Sequence, residues 1–248
     1  MQTIDLNCDM GEGLNTDAQL MPYISSANIA CGYHAGDETI MKQTLSLAIQ
    51  HKVAIGAHPG FADKANFGRT EMQLPLNEVY QLITEQVLLL QNMAASLGTK
   101  LNHVKPHGAL YNMSAKDPLL ANTIAKAVYK IDPQLVLFGL SGSHSITEAK
   151  KAGLVTASEV FADRTYGDDG SLTPRLQPNA MIVSDDAAWL QVVKMIEQKT
   201  VTSVSGKYVP IVAETICIHG DGEHAVSFAK KIYQSLQQKN IGIKSIKI

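Results

Sequence analysis

Val53-Ala54-Ile55-Gly56-Ala57-His58-Pro59-Gly60 is a short apolar run that ends on a histidine and breaks at Pro-Gly. A short apolar run of this kind suits a strand buried on both faces of a parallel sheet. Histidine held between Gly-Ala and Pro-Gly sits on a tight turn with little packing value, so His58 points to a site more than to a buried structural role. The same grammar recurs along the chain. Apolar runs lead into Asn7-Cys8-Asp9-Met10-Gly11-Glu12, Asn28-Ile29-Ala30-Cys31-Gly32-Tyr33-His34, Lys105-Pro106-His107-Gly108, Glu159-Val160-Phe161-Ala162-Asp163-Arg164 and His219-Gly220-Asp221. Polar groups at the C-terminal ends of successive parallel strands converge on one rim, where α/β proteins place their chemistry.

Working outward, helical segments separate these runs. Asp37 opens a helix to about His51, and Asn77 caps the longest one, about Glu78 to Leu97. Asp117-Pro118 starts a third, and Ser145 with Glu148 resembles a capping box. Ser184 starts another helix to about Gln198, and Asp221 caps a last one to about Gln237. Further strands are expected at Leu135–Leu140, Leu154–Val160 and Ile211–Ile218, with a short one at Ile241–Ile243. Alternation of this kind predicts seven or eight βα units and a parallel sheet. Because nearly every strand ends in chemistry-bearing residues, a closed barrel fits better than an open sheet, whose site lies at one switch point. The whole of residues 1–248 reads as one domain, since no Pro/Ser/Gly-rich linker or charge block interrupts it.

Composition narrows the function classes. A net charge of −2 with mixed signs argues against a nucleic-acid footprint. Cys8, Cys31 and Cys217 are odd in number and widely spaced, which predicts neither a disulfide framework nor a cysteine zinc site. The N-terminus shows no signal-peptide pattern, and no apolar stretch approaches membrane-spanning length, so the expected location is the cytoplasm. No Walker A, dinucleotide-binding or nucleophile-elbow motif is present.

The strand-end residues suggest specific chemistry. Strand alternation puts Asn7 and Asp9 on one side, where a carboxylate serves as general base or metal ligand. A simple turn is the alternative. Lys105 at the buried end of a strand is costly unless paired, and it suits a carboxylate or phosphoryl group. His107 titrates near neutral pH. Arg164 is suited to bidentate contact with an anion, although ion pairing among Glu159, Asp163 and Arg164 competes. His34 and His219 are further rim candidates. The loop at Gly167–Leu172 reads as a lid or a turn. His51, His103, His144 and His224 read as structural or surface residues.

At these motifs the chain resembles the LamB/YcsF family, the family of 5-oxoprolinase A subunits. The resemblance rests on Asp5–Glu12, Ser26–Asp37, Gly56–Phe61, Val104–Tyr111 and Glu159–Arg164, in order along nearly the whole chain. It implies a distorted TIM-type barrel related to the glycoside hydrolase/deacetylase superfamily. It also implies ATP-dependent opening of 5-oxoproline (pyroglutamate) to glutamate, with ATP converted to ADP and phosphate, together with B and C subunits. On that reading Asp9, His58, His107 and Lys105 are catalytic. Asn7, Glu12, His34, Glu159, Asp163, Arg164 and His219 contact substrate. ATP is the cofactor, and a divalent metal enters either with ATP or at Asp9, His58 and His107. Two other readings stand beside it: a metal-dependent deacetylase or amidohydrolase acting alone, and a non-catalytic substrate-binding scaffold.

Overall fold

A computed structural model describes residues 2–218 and 225–246. Among them, seven parallel strands close a barrel: β1 (Thr3–Met10), β2 (Ser26–Ala30), β3 (Ala54–His58), β4 (His103–Val104), β5 (Val136–Leu140), β6 (Thr156–Phe161) and β9 (Thr215–Ile218). Closure comes from β9, which pairs with β6 through Glu159↔Thr215 and with β1 through Asp5↔Thr215. Around the barrel lie α1 (Asp17–Leu20), α2 (Glu38–His51), α3 (Leu76–Ser96), α4 (Gly108–Lys116), α5 (Pro118–Ile131), α6 (His144–Lys151), α7 (Asp185–Glu197) and α8 (Ala225–Gln238).

The expected strand at Ile241–Ile243 exists as β10 (Gly242–Ile243), but it pairs with the start of β1 and adds no stave to the barrel. Between α7 and β9 the chain forms an unforeseen antiparallel hairpin, β7 (Thr200–Thr202) and β8 (Tyr208–Pro210). Alternating Thr and Val on its first arm and a turn at Gly206 (φ +87°) explain it. Two helix starts also differ from expectation. α3 begins at Leu76 behind Pro75, whose carbonyl accepts from Glu78 and Val79, so Asn77 lies inside the helix. α6 begins at His144 behind Ser143, and Ser145 turns its hydroxyl toward Ser114 at 3.1 Å. Asp37, Asp117 and Ser184 cap α2, α5 and α7 with side-chain hydrogen bonds as expected. Asp221 and His224 lie outside the described residues.

Strand alternation sorts β1 into two faces. Leu6, Cys8 and Met10 join the large apolar layer between strands and helices. Asp5, Asn7 and Asp9 turn into the barrel, where they meet side chains from β2, β6 and β9. The barrel floor is a separate apolar cluster of Val136, Phe138 and Ala157, with Ile246 packed against it. Phe138 stacks on His103 at 4.1 Å, where the apolar floor meets the polar interior above it. All three cysteines are buried and free. Among the described residues, no helix is long and apolar enough to cross a membrane.

Asp5 gives this interior a pH signature. Burial pushes its carboxyl up to about 6, although hydrogen bonds from Ser25, Thr215 and Ser26 oppose the shift. The folded state therefore holds a proton that the unfolded chain releases near pH 3.9. This contribution to stability is fully present below about pH 4 and is lost as pH rises through 6, by roughly 3 kcal/mol. Asp5→Asn carries no such ionisation. Urea titrations should show its stability relative to the parent chain rising between pH 4 and 7. A pH-independent difference would refute the assignment.

Candidate active site

The barrel interior is a continuous hydrogen-bonded array. Thr215 Oγ1 donates to Asp5 Oδ2 at 2.5 Å and accepts from Asn7 Nδ2 at 2.6 Å. Asn7 Nδ2 also donates to Glu159 Oε1 at 2.9 Å. Asn28 Nδ2 donates to both Asn7 Oδ1 and Asp9 Oδ1 at 2.8 Å. The Asn28 amide is in turn fixed by His103 Nε2, 2.7 Å from its oxygen. A Cβ on Gly56 would overlap that imidazole, so the glycine in β3 is what makes room for the ring.

Lys105 is the hub of this array. Its Nζ lies 2.9 Å from Asp9 Oδ1, 2.8 Å from Glu159 Oε1, 3.3 Å from Asn7 Oδ1 and 3.1 Å from Cys217 Sγ. Burial alone would pull the ammonium down, but the carboxylates of Asp9 and Glu159 reverse that and hold it well above its ordinary range. Burial pushes the Cys217 thiol up, so it meets Lys105 as a neutral group. The expectation that a strand-end lysine must be paired is met inside the protein itself.

Beside the hub stands a cluster of acceptors. Glu12, His34, His58 and His107 each offer one ligand atom, all within 4.8 Å of one another. His58 Nδ1 lies 2.7 Å from the Lys105 carbonyl, and His107 Nε2 lies 2.9 Å from the Phe67 carbonyl. A carbonyl only accepts, so both of those nitrogens carry the proton. The opposite nitrogens, His58 Nε2 and His107 Nδ1, face each other at 2.9 Å. Glu12 Oε1 lies 3.4 Å from His34 Nε2 and 3.5 Å from His107 Nδ1. Asp9 Oδ2 is 3.3 Å from His58 Nε2. Burial, reinforced by neighbouring imidazoles, drives His34 down to about 3 and His107 well below its ordinary value, so both are neutral near pH 7.

Convergent imidazoles and a carboxylate are the kind of donor set that holds a divalent transition metal. Bonds of about 2.0–2.1 Å in a tetrahedron separate ligand atoms by roughly 3.3 Å, close to the observed spacings. The fit includes His58 and His107 as expected, but adds Glu12 and His34. Asp9 sits at the edge of the set, turned toward Lys105. Zinc added to chelator-treated protein should raise the melting temperature by about 5–10 °C at a hundredfold excess over Kd. His107→Ala should lose that response, and an equal response in the variant would exclude this cluster.

Supports for the site come from residues that carry no signal in the sequence. Gln86 of α3 is fully buried, accepts from the Gly60 amide at 3.0 Å and donates to the Gly60 carbonyl at 2.8 Å. It thereby clamps the turn that follows His58. Asp17 Oδ2 accepts from the Gly11 amide at 2.8 Å and from Thr44 Oγ1 at 3.0 Å, anchoring the loop that carries Glu12. Among the sequence-predicted contacts, Asn7 and Glu159 are fully buried and serve Lys105. Arg164 is also buried. Its Nε donates to the Ala180 carbonyl at 3.2 Å and its Nη2 to the Thr173 carbonyl at 2.6 Å, which ties down the loop after β6. Asp163 is 8% exposed and accepts from the Ile182 amide through its carbonyl. The Gly167–Leu172 segment is anchored through Asp168 to Ser203, Ser205 and Lys207. His219 lies outside the described residues.

Fold and site together define a parallel α/β barrel with a buried lysine–carboxylate hub and, at its rim, a cluster of Glu12, His34, His58 and His107 that could hold a metal ion. The LamB/YcsF family model matches residues 4–248, and the chain belongs to that family. A relative from Tolumonas auensis, named as the A subunit of 5-oxoprolinase, is 54% identical, covering 99% of this chain and 100% of the relative. One of the same name from Geobacillus kaustophilus is 53% identical, covering 99% and 97%. The crystal structure of a lactam utilization protein from Thermus thermophilus superposes with a TM-score of 0.92 at 37% identity, covering 99% of this chain and 100% of that one. A family 4 carbohydrate esterase from Streptomyces lividans shares the fold alone, with a TM-score of 0.50 at 12% identity over 99% of this chain and 93% of that one.

Proposed function

We propose that this chain is the A subunit of an ATP-dependent 5-oxoprolinase, working with B and C subunits in the cytoplasm to open 5-oxoproline to L-glutamate. The observation that carries the reading is the Asp9 carboxylate. One oxygen is held by Lys105 and Asn28, and the other is turned to His58 at the edge of the metal-ligand cluster. The names of the relatives support the substrate.

A five-membered lactam resists hydrolysis, so ATP is spent on its carbonyl oxygen, giving a phosphorylated imidate, ADP and a far better electrophile. Water then attacks that carbon. Asp9 takes the water proton, the ring C–N bond breaks, the nitrogen leaves protonated, and a second water releases phosphate. Asp9 is the general base, fixed in position by Lys105. Glu12, His34, His58 and His107 hold a divalent metal, which when bound supplies Lewis acidity toward water or the carbonyl oxygen. Asn7 and Glu159 orient Lys105, while Asp163 and Arg164 shape the neighbouring wall.

The test is glutamate release from 5-oxoproline with ATP, comparing the chain alone with the chain plus B and C subunits. Release only by the assembled set supports the reading, and none from either refutes it. The histidine cluster also favours a second reading, a metal-dependent deacetylase or amidohydrolase acting alone. That one requires ATP-independent, chelator-sensitive hydrolysis of a simple amide by the purified chain.

A further inference from the structure

Two polar atoms beside the hub stand outside its hydrogen-bonded array. Glu159 Oε1 accepts from Lys105 at 2.8 Å and from Asn7 at 2.9 Å, whereas Glu159 Oε2 finds no hydrogen-bond partner among the described residues. The Tyr111 hydroxyl is the second such atom. Both side chains are buried, Glu159 completely. An ionised carboxylate oxygen only accepts, and a phenol hydroxyl donates. Buried groups of either kind are nearly always bonded, so an orphaned donor beside an orphaned acceptor needs an explanation.

The ring of Phe161 brings the two together. Glu159 and Phe161 lie two residues apart on β6 and share one face of the strand. Lys105 Nζ, already bonded to Glu159, stands 5.4 Å from the centre of the Phe161 ring. The Tyr111 ring meets that same ring edge-on, at 5.8 Å between centroids. α4 delivers Tyr111 to this place. The helix starts behind His107, whose carbonyl accepts from the Tyr111 amide at 3.3 Å, so Tyr111 stands one turn beyond that candidate metal ligand. Burial pushes the phenol well above its ordinary range, and Glu159 adds to the shift in the same direction.

We propose that Tyr111 is a positioning residue whose hydroxyl donates to Glu159 Oε2, directly or across one water, and so holds the carboxylate that aims Lys105 at Asp9. The positioning role rests on the proposed function, and the pairing stands apart from it. Lys105 takes its place from the carboxylates of Asp9 and Glu159 together. When Glu159 swings, the ammonium follows, and Asp9 loses its fixed angle toward the attacking water. Tyr111 acts through Glu159 and Lys105 without touching substrate, so its loss falls on kcat and leaves KM alone.

Tyr111→Phe keeps the ring and removes only the hydroxyl. In the purified chain it should lower the melting temperature by about 3–6 °C, as loss of one hydrogen bond to a charged group does in a chain of this size. Glu159→Met keeps most of the volume and offers the phenol no acceptor. In that background the same change should cost less than about 2 °C, because the pair is already broken. In the assembled enzyme Tyr111→Phe should lower kcat for glutamate release by about tenfold, with KM within about twofold of the parent, as expected when a reacting group is misplaced. Equal melting losses in the two backgrounds, an unchanged kcat, or a loss carried by KM would overturn the assignment. Should Glu159→Met fail to fold, the melt of the single variant and its split between kcat and KM decide. If the unaltered enzyme releases no glutamate, the proposed function falls, while the paired melts still decide whether Tyr111 serves Glu159.

Discussion

Lys105→Met should lower the melting temperature by on the order of 10 °C and abolish ring opening. Lys105 is 2% exposed, and its ammonium sits between the carboxylates of Asp9 and Glu159 at 2.9 Å and 2.8 Å. Removing one partner of a buried ion pair costs roughly 3–5 kcal/mol, because the charge left behind has lost its solvent and gains nothing in exchange. For a chain of this size each kcal/mol moves the melting temperature by about 2–4 °C. Methionine fills most of the volume, so the loss reports electrostatics and not a cavity. Lys105→Met with Glu159→Gln removes one stranded carboxylate and should recover several degrees, while activity stays lost. Differential scanning calorimetry and the glutamate assay separate the two effects. A melting temperature within 2 °C of the parent would show that the hub is not what holds the barrel interior together.

Why the hub is visible in the sequence, and its supports are not, follows from the physics of each. A lysine at the end of an apolar run has no cheap unpaired state, so Lys105 announces a partner from local sequence alone. Period-two alternation likewise puts Asn7 and Asp9 on one face without knowledge of the fold. Gln86 offers no such signal. It stands among Leu82, Ile83, Val87 and Leu90 on a helix, and its task appears only once α3 crosses the turn at Gly60. By sequence His103 reads as structural or surface. The structure buries it, and its hold on Asn28 depends on Gly56 in the neighbouring strand. The candidate metal-ligand cluster is half legible. His58 ends β3 and His107 stands just before α4, both facing the barrel interior, whereas Glu12 and His34 arrive on loops anchored by Asp17 and packed closely against Gly60 and Gly68. Arg164 has the right chemistry for an anion, but carbonyls of its own loop reach it first. The β7–β8 hairpin falls where the sequence shows no long apolar run, and its arms of three residues each are too short for periodicity to register.

The Asp9→Asn variant should lose about a thousandfold in kcat/KM, as removal of a general base does, while its melting temperature stays within a few degrees of the parent. The contrast with Lys105→Met is a matter of charge count. In the parent, one ammonium faces two carboxylates, leaving the hub one negative charge in excess. Lys105→Met deepens that excess to two, whereas Asp9→Asn balances it, with Lys105 and Glu159 still 2.8 Å apart. Asparagine also fits the existing hydrogen bonds. Its oxygen accepts from Lys105 and from Asn28 as Asp9 Oδ1 does at 2.9 Å and 2.8 Å. Its amide then points at His58 Nε2, where Asp9 Oδ2 stood at 3.3 Å. That substitution keeps the packing and removes the carboxylate proposed to take a proton from water. Steady-state kinetics on the assembled enzyme, paired with a thermal melt, read both halves. Turnover within tenfold of the parent would remove Asp9 from the chemistry, and a large drop in melting temperature would mean that its charge, and not only its shape, holds the hub in place.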